Sequence, residues 1–192
     1  MHAALASRLA VLALALTLSP GAGAAQFYGK VVAVADGDTL TILDTAQRRH
    51  RVRLSAIDAP ERRQSYGERA KQHLVRLAHG RSVLVDWQKR DRYGRIVGRV
   101  LLPECALAHC SYARDVALEQ LRAGLAWHYT RYASEQPPGE RLRYAGTERE
   151  ARARREGLWA EIDPLPPWLF RRPAGAVSSR GGHGVAIPGR PG

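Results

Sequence analysis

From residue 27 onward the apolar positions follow two periods. Phe27–Ala35 is valine-rich and reads as a strand, Asp36-Gly37-Asp38 is a tight-turn signal, and Thr39–Leu43 alternates as the returning strand. After a polar turn over Asp44–Arg49, His50–Leu54 alternates again, with Val52 and Leu54 on one face and Arg51 and Arg53 on the other. Ile57 leads into Asp58-Ala59-Pro60-Glu61, where proline ends regular structure. The period then lengthens. Over Ser65–His79, Ala70, Leu74, Leu77 and Ala78 share one helical face, and Gly80 stops the helix.

Strand patterning returns over Ser82–Trp87 and Ile96–Leu102, separated by the charged loop Gln88–Arg95. The stretch from Cys105 to Cys110 looks like an insertion in a connection. Asp115 is placed to cap a short helix carrying Val116 and Leu121. A last helix is predicted over Glu140–Glu156, with a thin apolar face of Leu142, Ala145 and Ala153, and Gly157 ends it. Five short strands without regular strand–helix alternation predict a small barrel with about three packed helices. Residues 161–172 form a proline-rich strap, and 173–192, where Gly, Pro and Ser predominate, read as a disordered tail.

The first 24 residues have another character. Arg8, the apolar run Leu9–Leu18 and the small residues Ala22-Gly23-Ala24 make a basic, an apolar and a cleavage region, so 1–24 reads as a signal peptide. The run is too short to span a bilayer comfortably as an anchor. Export, to the periplasm or beyond the cell, permits a disulfide between Cys105 and Cys110, the alternative being two separate buried thiols. Only His109 lies beside the pair, too few ligands for structural zinc.

Composition narrows the partner. With 192 residues, 45% apolar and 25% charged, the chain suits one folded domain with appendages and excludes a fibrous or wholly disordered protein. The 30 basic residues are nearly all arginine and outnumber 18 acidic ones, for a net charge of +12. Arginine's planar fork suits bidentate contact with phosphate, so the excess favours nucleic acid or another polyanion.

The candidate chemistry lies in four places: Asp36 and Asp38 in the first turn, Arg53 on the third strand, Asp58 and Glu61 around Pro60, and Arg95 after Asp91. Each has a bland explanation as a turn, a cap or a solvated arginine. Together they supply hard oxygen ligands for a divalent cation, two phosphate forks and a carboxylate able to orient water. Phosphodiester hydrolysis needs those three functions.

The motifs Asp36-Gly37-Asp38-Thr39, Arg53 through Asp58-Ala59-Pro60-Glu61, Asp91-Arg92-Tyr93-Gly94-Arg95 and Gly124-Leu125-Ala126-Trp127 resemble the staphylococcal (micrococcal, thermonuclease-like) nuclease family. The resemblance spans roughly Phe27 to Trp159, within a domain placed at 26–160. It implies an OB-fold, a five-stranded β-barrel with helices against it. It also implies a secreted, Ca²⁺-dependent nuclease that cuts DNA and RNA and leaves 3′-phosphate ends. Asp38 and Asp58 would be the calcium carboxylates, with the Ala59 carbonyl as a further ligand. Glu61 would be the general base or water-orienting carboxylate. Arg53 and Arg95 would clamp the phosphate, and Asp36 would stand behind the metal. Arg92 would add phosphate attraction, and Tyr129 and Tyr132 would stack beside the nucleotide unless they only pack the last helix. A monomer acting preferably on single strands is the expectation. The alternatives are a noncatalytic OB-type module that binds nucleic acid, and an exported protein whose basic face binds envelope polyanions.

Overall fold

The computed structural model describes residues 25–106 and 109–172. The leader expected over 1–24 and the disorder expected over 173–192 fall outside the described residues. The first three strands, β1 (Ala25–Val34), β2 (Thr39–Asp44) and β3 (Arg49–Leu54), form an antiparallel meander, with Val34 opposite Leu40 and Thr39 opposite Arg53. Their alternation sends Val31, Leu40, Ile42, Val52 and Leu54 inward, all at most 1% exposed. Each such side chain contributes about 1.5–3 kcal/mol relative to exposure.

A tight turn with Ala56 at φ 62° leads into β4 (Ile57–Asp58), too short to be legible as a strand. It pairs with β8 (Trp127–His128) in a separate two-stranded sheet. Helix α1 (Gly67–Ala78) buries Ala70, Leu74, Leu77 and Ala78, the face its spacing predicts. Strands β5 (Ser82–Arg90), β6 (Ile96–Ala106) and β7 (His109–Asp115) follow.

The expected OB-fold, a closed five-stranded barrel, is corrected by this topology. The main sheet has six strands in the order β3-β2-β1-β5-β6-β7, and β4 leaves it to pair elsewhere. The sheet curls enough to set β3 beside β6 over only three parallel register pairs, while β7 extends it beyond β6. The segment read as an insertion is thus a hairpin arm, with Cys105 and Cys110 opposite each other and joined by a disulfide. Pro103 disguised the strand's continuation. It sits where the β6–β7 register shifts, a place that tolerates a residue without an N–H.

Asp115 caps α2 (Val116–Arg122), its Oδ1 accepting from the Ala117 N–H at 2.9 Å. The last long helix, α3 (Pro138–Ala153), starts and ends earlier than the sequence pattern indicates. Its buried residues are Tyr144 and Ala151, whereas Leu142 is 69% exposed. The anchor is polar as well as apolar: the Tyr144 hydroxyl donates to Asp115 Oδ2 at 2.7 Å, so one carboxylate caps α2 and holds α3. Gly124 has φ +61°, and a Cβ there would lie 2.0 Å from the Glu156 carbonyl oxygen, so glycine lets the end of α3 cross the chain after α2. Trp127, Trp159, Leu158 and Ala151 form a second small core. The strap lies against it through Trp168, whose ring centroid is 5.6 Å from that of Trp127, and ends in the single turn α4 (Pro167–Phe170). No helix among the described residues is long and apolar enough to cross a membrane.

Candidate active site

The site forms where the β1–β2 turn, the end of β3 and the chain after β4 meet. In the turn, the Asp38 N–H donates to Asp36 Oδ1 at 3.0 Å. The Leu54 N–H donates to the Asp38 carbonyl at 2.8 Å, tying the turn to β3. Gly37 is needed because a Cβ there would stand 2.7 Å from the methyls of both Ala59 and Ala70. That close approach lets the turn sit between α1 and the Asp58–Pro60 segment. Gln120 on α2 is wholly buried and donates to the Gly37 carbonyl at 2.6 Å and the Ala70 carbonyl at 3.1 Å.

Arg53 projects from β3 into this corner. Its Nη1 donates to Asp38 Oδ2 at 2.7 Å, and its Nη2 to Asp58 Oδ1 at 3.0 Å and the Ile57 carbonyl at 3.2 Å. Asp38 is 5% exposed and Asp58 fully buried. The Ala59 N–H also donates to Asp38 Oδ2, at 3.2 Å. One guanidinium thus joins carboxylates that lie 20 residues apart in sequence.

The local charges set the protonation. Burial, and then the neighbouring Asp38 charge, push Asp36 up to about 6. Burial raises Asp58, with Arg171 and Arg53 pulling the other way. For Arg53, burial alone would lower the pKa, but the charges of Asp38 and Asp58 outweigh it and the guanidinium is held more firmly protonated.

The structure brings together Asp36, Asp38, Arg53, Asp58 and Ala59. Glu61 joins them through a residue that the sequence reading missed. From the strap, Arg171 reaches Asp58 Oδ2 at 2.5 Å and Oδ1 at 3.2 Å, and Glu61 Oε1 at 2.6 Å. An Arg171-Arg172 pair at the end of a proline-rich stretch carries no local signal for this; a contact across 113 residues exists only in the folded chain. Glu61 is further held by Gln64, whose Oε1 accepts the Glu61 N–H at 2.8 Å.

Arg95 stands outside this bonded cluster. Its Nε donates to Asp91 Oδ2 at 2.7 Å, and its guanidinium lies 5.5 Å from the centre of the Tyr93 ring. It immediately precedes β6, two residues before Val97, which neighbours Arg53 in the parallel pairing, so its backbone lies about 7 Å along the strand direction from that pair. Arg92 lies 5.2 Å from the centre of the Tyr93 ring. Tyr129 is beside the site, its N–H donating to the Ala56 carbonyl at 2.8 Å. Its ring pairs with Tyr132 at 5.7 Å and Trp168 at 5.5 Å. Tyr132 is half exposed.

Among the described residues, no three His, Cys, Asp or Glu side chains gather into a ready metal cage. The donor set nonetheless suits a hard cation: Asp38, Asp58 and nearby main-chain carbonyls are all oxygen, and positive charge already bridges the two carboxylates.

The family model described as staphylococcal nuclease homologue matches residues 51–161. The chain is 39% identical over 147 residues to an uncharacterized endonuclease of Escherichia coli, covering 77% of this chain and 86% of that protein. It is 37% identical over 172 residues to a micrococcal nuclease of Shigella flexneri, covering 90% and 96%. A staphylococcal-like nuclease of Arabidopsis thaliana is 36% identical over 136 residues, covering 71% of this chain and 36% of the plant protein. With the Arg53–Asp58–Glu61 segment inside the matched region and the acidic turn folded against it, the chain belongs to the staphylococcal nuclease family.

Proposed function

We propose that the chain is an exported, calcium-dependent nuclease that hydrolyses DNA and RNA with little sequence preference and leaves 3′-phosphate ends. Family membership supports the nuclease activity. The observation that carries the site assignment is the link through Arg53 between Asp38 and Asp58, which sets a phosphate fork between two buried carboxylates. Asp38, Asp58 and the Ala59 carbonyl would hold calcium, which when bound supplies positive charge against the phosphoryl oxygens.

The remaining work falls to this chain's own side chains. Arg53 donates to the non-bridging oxygens and opposes the charge that grows on them. A preorganised charged donor of this kind contributes about 3–4 kcal/mol at the transition state. Glu61, partly open to solvent, accepts a proton from the attacking water. Arg95 exchanges its Asp91 partner for the leaving 5′-oxygen side of the phosphate. Arg92 attracts the backbone, and Tyr129 and Tyr132 stack on unpaired bases, which favours single strands and tolerates any base. The Cys105–Cys110 disulfide suits an oxidising compartment outside the cytoplasm.

The test is incubation of the purified protein with single-stranded DNA and with RNA, in calcium or in chelator. Cleavage in calcium alone supports the reading, and so do products that a polymerase extends only after phosphatase treatment. Binding without cleavage under both conditions would replace it with a noncatalytic nucleic-acid-binding module.

A further inference from the structure

The strap after α3 meets the site twice. At its end, the Arg171 guanidinium takes both oxygens of Asp58 and one of Glu61. One turn earlier, Trp168 lies against Tyr129, the candidate base-stacking ring. The strap is seated by Trp168 against Trp127, 5.6 Å between ring centroids, and by two hydrogen bonds. Gln64 Nε2 donates to the Leu165 carbonyl at 3.0 Å, and the Ser65 hydroxyl donates to Glu161. Beside these bonds lies a cleft of about 260 Å³, lined in part by Pro60, Gln64, Trp127, Leu165 and Phe170. Arg171 is 42% exposed, so it can swing into solvent at modest cost, whereas Asp58 is fully buried and fixed.

Both oxygens of Asp58 are engaged by guanidinium groups. Arg53 and Arg171 share Oδ1, and Arg171 holds Oδ2. We propose that Arg171 is a strap-borne surrogate cation: its guanidinium holds the Asp58 and Glu61 carboxylates, and a divalent cation must displace it, freeing the strap from Tyr129 as it binds. Two separate contacts, one at the phosphate end of the site and one at the base end, lie on the same short segment. Cation binding and opening of the nucleotide platform are thereby one event. This inference rests on the calcium reading above and adds a residue and a conformational step to it.

Calorimetric calcium titration of the full chain and of Arg171→Gln tests it, with Arg172→Gln as the control for lost charge. Arg172 makes no ion pair with these carboxylates. The expected result is at least a fivefold tighter dissociation constant in Arg171→Gln and less than a twofold change in Arg172→Gln. Hydrogen exchange gives a second reading. The Leu169, Phe170 and Arg171 amides, bonded to the Pro166 and Pro167 carbonyls, should exchange faster in calcium in the unmodified chain and already fast without calcium in Arg171→Gln. Equal or weaker calcium affinity in Arg171→Gln, equal gains in both variants, or strap amides slowed by calcium would overturn the displacement. In those cases calcium-dependent cleavage by the unmodified chain leaves the nuclease reading standing. No calcium binding and no cleavage by any of the three would overturn both.

Discussion

Replacing Arg53 by glutamine should be costly to stability as well as to turnover, and the two losses come from the same contacts. Arg53 bridges Asp38 at 2.7 Å and Asp58 at 3.0 Å, and its side chain is only 17% exposed. Without the guanidinium, two buried carboxylates face each other across the corner. Breaking a buried ion pair by removing one partner costs about 3–5 kcal/mol. Asp58 keeps Arg171 and glutamine keeps a donor, so the lower end, about 3 kcal/mol, is expected. That is a large share of the roughly 5–15 kcal/mol that holds a domain folded. Urea unfolding followed by tryptophan fluorescence in chelator measures it. The loss should shrink as pH falls toward 4, because unpaired buried carboxylates have raised pKa values and their protonation removes the repulsion. Adding Asp38→Asn should recover at least about 1 kcal/mol relative to the sum of the single losses, the signature of directly coupled groups. Turnover should fall at least ~10²-fold. A single-variant loss below about 1 kcal/mol, or strict additivity in the double variant, would refute the claim that this guanidinium organises the corner.

Other perturbations test neighbouring parts. Gly37→Ala puts a methyl 2.7 Å from Ala59 and Ala70, so it should cost about 1–3 kcal/mol and weaken calcium binding by pushing the turn from the Asp58 segment, read by unfolding and calorimetry. Glu61→Gln should leave the unfolding midpoint within a few tenths of a molar of urea while lowering turnover ~10²-fold, checked by parallel unfolding and nuclease assays. Asp44 is held below the usual aspartate range by hydrogen bonds from His50 and then from the Arg48 backbone. Its contribution is therefore full above the ordinary aspartate pKa and fades as pH drops below it. Asp44→Asn should destabilise the protein at pH 7 and flatten the acid limb of stability against pH.

The local periods were enough to mark most of the elements. The 2-residue alternation of β2, β3 and β5 and the helical spacing of Ala70, Leu74 and Leu77 follow from burying one face, which needs no knowledge of the partner surface. The turn Asp36-Gly37-Asp38 and the cap at Asp115 were legible because their side chains bond their own nearby backbone. The motifs were legible as a family signature, but that Arg53 bonds both Asp38 and Asp58 was not, because convergence of separate segments leaves no mark on the sequence. What lay beyond the chain's local pattern depended on contacts between distant segments. A strand of two residues such as β4 has no period and exists only because β8 lies beside it. The continuation of β6 past Pro103, and with it the pairing of β7, depends on a register shift that only the neighbouring strand reveals, and the six-stranded sheet replaces the expected five-stranded barrel. The face of α3 was set by a hydroxyl finding Asp115, not by leucine spacing, so Leu142 was left outside. Arg171 is the limiting case: charge attraction between a strap and a carboxylate more than a hundred residues away leaves no trace in either neighbourhood, because Coulomb's law acts on distance in space, which folding alone assigns.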